Sequence, residues 1–78
     1  MRILFFAHLR DATGCREFEL AGNNLGVEEL WQKLVARHPA LDRYRSSVRL
    51  AKNSEYVGPE ALFNEADEVA LIPPVSGG

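Results

Sequence analysis

One stretch of this chain, GVEELWQKLVARHP at 26–39, has the periodicity of a long helix, and no other stretch does. Val27, Leu30, Trp31, Leu34 and Val35 fall at i, i+3, i+4, i+7 and i+8, which makes a single apolar stripe. Glu28 and Glu29 lie in its first turn and Arg37 and His38 in its last, in keeping with the helix dipole. Gly26 is an acceptable N-cap and Pro39 stops the helix. A chain with one amphipathic helix must build the rest of its core from strands. One helix covers one face of one sheet, so the expected fold is α+β in two layers.

The strands are legible in outline. Arg2 to Ala7 is rich in aromatic and branched residues and reads as the first. DATG at 11–14 reads as a turn, with Gly14 free to take positive φ. Arg16 to Leu20 alternates, with Arg16, Phe18 and Leu20 on one side and Glu17 and Glu19 on the other; it reads as the hairpin partner of the first strand. AGNN at 21–24 breaks it. After the helix, Val48 to Lys52 reads as a strand, Tyr56-Val57 as a short edge strand, and Ala61, Leu62 and Phe63 as a helical turn. Glu68 to Ile72 is the last strand; Pro73 ends it, since proline cannot donate to a central ladder.

Composition agrees with a folded single domain. The chain has 78 residues, 46% hydrophobic and 26% charged. Cys15 is the only cysteine, so neither an internal disulfide nor a zinc cluster can form, and no metal is expected. A net charge of −2 argues against nucleic acid. No apolar run approaches the roughly 20 residues that span a bilayer. The opening MRILFFAHLRD reads as a strand rather than a signal peptide, and a cytoplasmic location is expected.

Two strands are apolar on both faces. In the first, Ile3, Phe5 and Ala7 share one face and Leu4 and Phe6 the other; in the last, Val69 and Leu71 oppose Ala70 and Ile72. One helix leaves the second face bare. Leu4, Phe6, Ala70 and Ile72 are therefore expected to form an exposed apolar patch, of the kind that marks partner sites, unless loop 40–47 or loop 54–66 folds over them.

The segment that leaves the last strand is PPVSGG. The expected division is a domain over 1–72 and a tail over 73–78. Pro73 and Pro74 favour an extended start. Six extended residues reach about 20 Å at about 3.3–3.6 Å each. Gly77 and Gly78 carry no side chains and suit a narrow channel, with a carboxylate at its end. A carboxylate is chemically quiet until activated, most simply as an acyl-adenylate formed with ATP. An amine then gives an amide, a thiol a thioester and a sulfur donor a thiocarboxylate.

The order of elements and the final Gly-Gly resemble the ubiquitin-like β-grasp pattern. More closely, LFFAHLRDATG and DEVALIPPVSGG resemble the molybdopterin synthase small-subunit family of sulfur carriers, and the spacing of GVEELWQKLVARHP and LAKNSEYV also fits. The resemblance covers essentially the whole chain, and PPVSGG is its specific part. It implies that an E1-like activating enzyme uses ATP to adenylate Gly78 and that a sulfur donor converts the adenylate to a thiocarboxylate. Pro73, Pro74, Val75, Ser76 and Gly77 then insert into the large subunit, where sulfur passes to cyclic pyranopterin monophosphate. It also implies a complex of two small and two large subunits, no bound cofactor, and a chain that turns over nothing alone. The carriers of thiamine-thiazole and tRNA thiolation, and protein modifiers joined through Gly78 to lysine, share the fold and ending and remain alternatives.

The other chemistry-bearing residues read as bystanders. His8 is a solvated turn residue, His38 a cation at a helix C-terminus, and Cys15 a turn thiol, none with a second group placed to activate it. Arg37, Arg43, Arg45, Arg49 and Lys52 form a basic run that reads as a solvated face or as a complement to an acidic partner. Asp67 and Glu68 read as charges at the start of the last strand. The family often carries larger aromatics at the positions of Leu71 and Ile72, and Lys52 stands where an apolar residue is expected.

Overall fold

The structure, a computed structural model, describes residues 1–73. In chain order these form β1 (Arg2–Phe5), α1 (His8–Thr13), β2 (Glu17–Glu19), β3 (Leu25–Gly26), α2 (Val27–Arg37), a 3₁₀ segment (Pro39–Tyr44), β4 (Arg49–Lys52), β5 (Glu55–Tyr56), β6 (Leu62–Phe63) and β7 (Glu68–Ile72). Five strands make a mixed sheet in the order β2-β1-β7-β4-β5. The central pair, β1 and β7, is parallel; the other pairings are antiparallel. The expected α+β arrangement, a mixed sheet backed by one main helix, is present.

The long helix runs as its stripe dictates. Leu30, Trp31 and Leu34 of α2 are buried with Ile3 and Phe5 of β1, Val69 and Leu71 of β7 and Leu50 of β4 in one cluster. Each such side chain contributes about 1.5–3 kcal/mol by leaving water. Gly26 caps α2 with extended backbone, and the Glu29 carboxylate accepts a 3.2 Å hydrogen bond from its N–H. Leu41, at 0% exposure, brings the 3₁₀ segment into the same core.

Three local readings are corrected. The first strand stops at Phe5, and its connection to β2 is α1 rather than a turn at 11–14. Ala7 leaves the strand with φ 51° and ψ −132°, and the Leu9 N–H donates to the Phe6 carbonyl at 3.1 Å, the geometry of a type II′ turn. A helix of six residues with one buried anchor, Leu9, shows no period in sequence. Gly14 does take positive φ, at 76°, and closes α1 through a 2.8 Å bond from its N–H to the Arg10 carbonyl.

The reading of Ala61, Leu62 and Phe63 as a helical turn fails as well. Leu62–Phe63 is β6, paired antiparallel with β3 through Leu25↔Phe63 and Gly26↔Leu62. A two-residue strand is specified by its partner, not by its own pattern. The loops beside this pair are stitched by side-chain amides: Asn24 N–H to Asn64 Oδ1 at 2.9 Å and Glu65 N–H to Asn23 Oδ1 at 2.8 Å. Gly22 lies close by at φ 155°, where a Cβ would stand 2.7 Å from Leu25 Cδ1. Third, the edge strand is Glu55–Tyr56 rather than Tyr56-Val57, joined to β4 by Asn53 and Ser54 at φ 50° and 74°, a two-residue turn of type I′ character.

Lys52 gains a reason. Its Nζ donates a 2.8 Å hydrogen bond to the Leu62 carbonyl and so ties the main sheet to β6.

Candidate functional site

The second face of the sheet is graded from charge to hydrocarbon. Register sets the rows. At one end Arg2 pairs in register with Glu68 and with Glu19. Its guanidinium reaches Glu68 at 2.6 Å and Glu17 at 3.1 Å. In the next row Leu4, Ala70 and Ala51 lie side by side across β1, β7 and β4, with Tyr56 beyond them on β5. Farther along come Ile72, level with Arg49, and Phe6, which follows β1. The apolar end is thus the end at which β7 runs into Pro73.

Leu4, Ala70 and Ile72 are half-buried and Phe6 is 39% exposed, so these four side chains remain accessible within the described residues. With Ala51, Ser54, Tyr56 and Glu68 they line one depression of about 250 Å³. The loops do not cover them. The 3₁₀ segment packs on α1 and α2, and β5 extends the sheet at its edge. Ala51 and Tyr56 escaped the sequence reading. Their signal was the alternation in Arg49–Lys52, which puts Ala51 opposite Tyr56 once the hairpin is closed.

Phe6 is held where it is. Ala7 pays for the turn with a backbone conformation that glycine adopts freely, a strain of order 1–3 kcal/mol. Arg10, also missed, reaches back along α1. Its Nε–H donates to the Phe5 carbonyl at 3.1 Å, and its guanidinium lies 6.0 Å from the Phe6 ring centroid. Phe6 therefore sits between a strained turn and a cation, beside the root of the tail. Pro73 itself is buried. Pro74, Val75, Ser76, Gly77 and Gly78 lie outside the described residues.

The remaining candidates separate. His38 is not the exposed cation expected at a helix end. Its ring packs edge-on against Phe5 and Phe18 at 5.6 and 4.9 Å, and burial, with the Arg37 charge second, lowers its pKa below 6.5. His8 lies 5.3 Å from the Tyr44 ring. Cys15 is half-buried, with its Sγ 3.7 Å from the Thr13 hydroxyl. Asp67 accepts from the Asn64 N–H at 2.7 Å, and that bond, followed by the Asn53 amide, holds its carboxyl below the usual range. The basic run is dispersed: Arg45 pairs with Glu28, Arg37 lies over Phe18, Arg49 over Tyr56, and Lys52 holds Leu62. Among the described residues no cluster of His, Cys, Asp or Glu is arranged to hold a metal, and no helix is long and apolar enough to cross a membrane.

This fold, a mixed sheet backed by one main helix, has known counterparts. The model of the ThiS family matches residues 3–78. The chain belongs to the ThiS family. This ThiS-family chain is 45% identical over 82 residues to the molybdopterin synthase sulfur carrier subunit of Chlamydomonas reinhardtii, covering 100% of the chain and 98% of that relative. It is 34% identical to the subunit of the same name from Homo sapiens, covering 100% of the chain and 93% of that relative. The crystal structure of SAMP1 from Haloferax volcanii, a small archaeal modifier protein, superposes with a TM-score of 0.83 at 30% identity, covering 100% of the chain and 98% of the other. The ThiS-family chain has the ubiquitin-like β-grasp fold, as its resemblance implied.

Proposed function

We propose that this chain is the sulfur carrier subunit of a molybdopterin synthase in the cytoplasm. The observation that carries the reading is the 45% identity, over the whole chain, to a protein of that name. The graded sheet face supports it: apolar surface for a partner is concentrated at Phe6 and Ile72, where the tail departs. Leu4, Phe6, Ala70 and Ile72 seat the large subunit, and Pro74 to Gly77 enter its channel; Pro73, which the sequence assigned to the tail, is buried at the end of β7 and stays with the domain. Two such pairs form the complete enzyme, a sulfurtransferase in which this chain is the sulfur-donating subunit rather than the catalyst.

The chemistry follows from the inertness of a carboxylate. An E1-like enzyme joins the Gly78 carboxylate to the α-phosphorus of ATP, and pyrophosphate leaves. A sulfur donor then displaces AMP, leaving a thiocarboxylate. Sulfur is a better nucleophile than the oxygen it replaces: it bonds to a carbon of cyclic pyranopterin monophosphate in the large subunit, and water then hydrolyses the resulting Gly78 thioester, which leaves the sulfur on the pterin and returns Gly78 as a carboxylate. ATP is used by the activating enzyme and is not a resident cofactor of this chain.

A second reading is favoured by the likeness to a small archaeal modifier protein. In it, Gly78 is joined to lysine side chains. Mass spectrometry of the C-terminal peptide, after production beside the native partners, separates the two. A sulfur-for-oxygen gain confined to Gly78 is expected of the carrier; a branched Gly78–lysine peptide establishes the modifier. An unmodified Gly78, with active activating enzyme and sulfur donor present, removes both.

A further inference from the structure

Gly78 is useful only while its carboxyl is activated, and an activated carboxyl is open to any nucleophile within reach. Five residues, 74–78, follow Pro73, so the end of the chain has a reach of about 17 Å from the root of the tail. Groups tethered at such a range meet at an effective concentration in the millimolar range. The surface within that reach is part of the chemistry of Gly78.

The cations around the root are arginines. Arg49 is the register partner of Ile72. The Arg16 carbonyl accepts from the Phe5 N–H at 2.9 Å, and Arg10 and Arg16 line one depression with Phe6. Arg43 lies over Tyr44, whose ring meets His8 at the start of α1. All four are exposed. The chain has seven arginines and two lysines, and its amines lie elsewhere. Lys52 is level with Val69, about 10 Å along the sheet from Ile72. Its ammonium donates to the Leu62 carbonyl at 2.8 Å. The α-amine of Met1 lies at the far end of the sheet, buried, and donates to the Leu20 carbonyl at 2.6 Å. Lys33 is on the exposed face of α2, with the helix between it and the sheet.

The distinction is chemical. A guanidinium keeps its proton to above about pH 12 and its lone pairs are delocalised, so it does not attack an acyl group. A lysine amine does, through the small fraction that is neutral near pH 8. Its lone pair adds to the carbonyl carbon and a C–N bond forms. The bond to the leaving group breaks with its electron pair, and the amine's proton goes to solvent. The amide is a dead end. Products with the other nucleophiles at this end are not. Asp11 follows Arg10, Glu17 follows Arg16, and His8 and Cys15 are close in the chain. An anhydride, an acyl-imidazole or a thioester formed there is still activated and passes to water or to a sulfur donor. Glu17 is also held by Arg2 at 3.1 Å. A hydroxyl without a base is a poor nucleophile.

We propose that Arg10, Arg16, Arg43 and Arg49 are specificity-determining residues: they carry charge around the tail root without offering an amine to activated Gly78, so that sulfur rather than nitrogen ends on its carbonyl carbon. The proposal rests on the carrier reading above and gives its selectivity a cause in this chain.

The test uses the full-length chain with Gly78 prepared as a thioester of thioglycolate. It is held near pH 8 at micromolar concentration, where joining between chains is negligible, and read by peptide mass spectrometry. The variant is Arg10→Lys, Arg16→Lys, Arg43→Lys and Arg49→Lys together, which keeps every charge; circular dichroism checks its fold. Arg10→Lys and Arg49→Lys, made singly and read the same way, serve if the fourfold variant does not fold. The control, Arg2→Lys with Arg45→Lys, adds amines where carboxylates already hold the cation. The wild type and the control are expected to return Gly78 as a carboxylate. The variant is expected to form at least about tenfold more internal amide, lighter than the hydrolysed chain by one water, with Gly78 joined to a substituted position. A folded variant that only hydrolyses overturns the proposal and leaves the carrier intact, as does equal amide in the wild type or in the control. ATP–pyrophosphate exchange with the adenylating enzyme of the same source tests the carrier reading separately. A wild-type chain that supports no exchange and gains no sulfur removes that reading, and the selectivity assigned to the arginines with it.

Discussion

Lys52 Nζ donates a 2.8 Å hydrogen bond to the carbonyl of Leu62, a residue of the small two-stranded sheet. The bond joins two sheets that share no ladder. Replacing Lys52→Met keeps the stem and removes the donor. Stability is expected to fall by about 1 kcal/mol, the net value of one such bond, seen as a lower urea midpoint with an unchanged slope. Sulfur loading of Gly78 is expected to be unaffected, because Lys52 stands at the end of β4 away from the tail.

Ala7 and Phe6 are coupled through the turn between β1 and α1. Ala7→Gly relieves the positive φ of 51° at the expense of a freer unfolded chain. A net gain of about 1 kcal/mol is expected in urea unfolding. The same substitution frees Phe6, so affinity for the large subunit is expected to fall severalfold although stability rises. A gain in both would show that the strained turn does not serve the patch.

His38 makes stability depend on pH. Burial lowers its pKa in the fold, so the unfolded chain binds the proton more readily. The neutral ring's contribution is therefore fully present above pH about 6.5 and is lost as pH falls through the folded value. The melting temperature is expected to decline from pH 7 toward pH 5.5. In His38→Leu that decline is expected to flatten, since most carboxylates titrate lower. An unchanged slope would assign it to another group.

Phe6→Asp and Ile72→Asp place charge in the depression at the tail root. Both positions keep solvent access, so the fold is expected to survive, with circular dichroism unchanged. Binding to the large subunit, followed by calorimetry, is expected to weaken about 100-fold or more, as for the loss of an interface anchor. Arg2→Gln, at the charged end of the same face, is expected to change it little.

Much of this protein was written in residues that report on their own surroundings. The α2 stripe of Leu30, Trp31 and Leu34 demanded a sheet to cover. The run EVALI, apolar at every second position on both faces, demanded a central strand, and β7 has those bounds. Periodic burial and special backbone chemistry are local signals, which is why they are legible.

Tertiary structure alone decided what depends on a partner distant in the chain. The β3–β6 pair has two residues in each strand and exists because Leu25 meets Phe63. Lys52 looked misplaced until Leu62 arrived beside it. Ala51, itself buried, joined the floor of the depression only when the hairpin set Tyr56 opposite it, and a helix as short as α1 rests on the burial of Leu9 rather than on a pattern. His38 reads as a cation from its position in the helix, yet Phe5 and Phe18 close on it and favour the neutral ring. The sequence determined which faces had to be buried. Register between strands decided which residues stand together on the face that was not, because a pairing fixes neighbours that no single segment encodes.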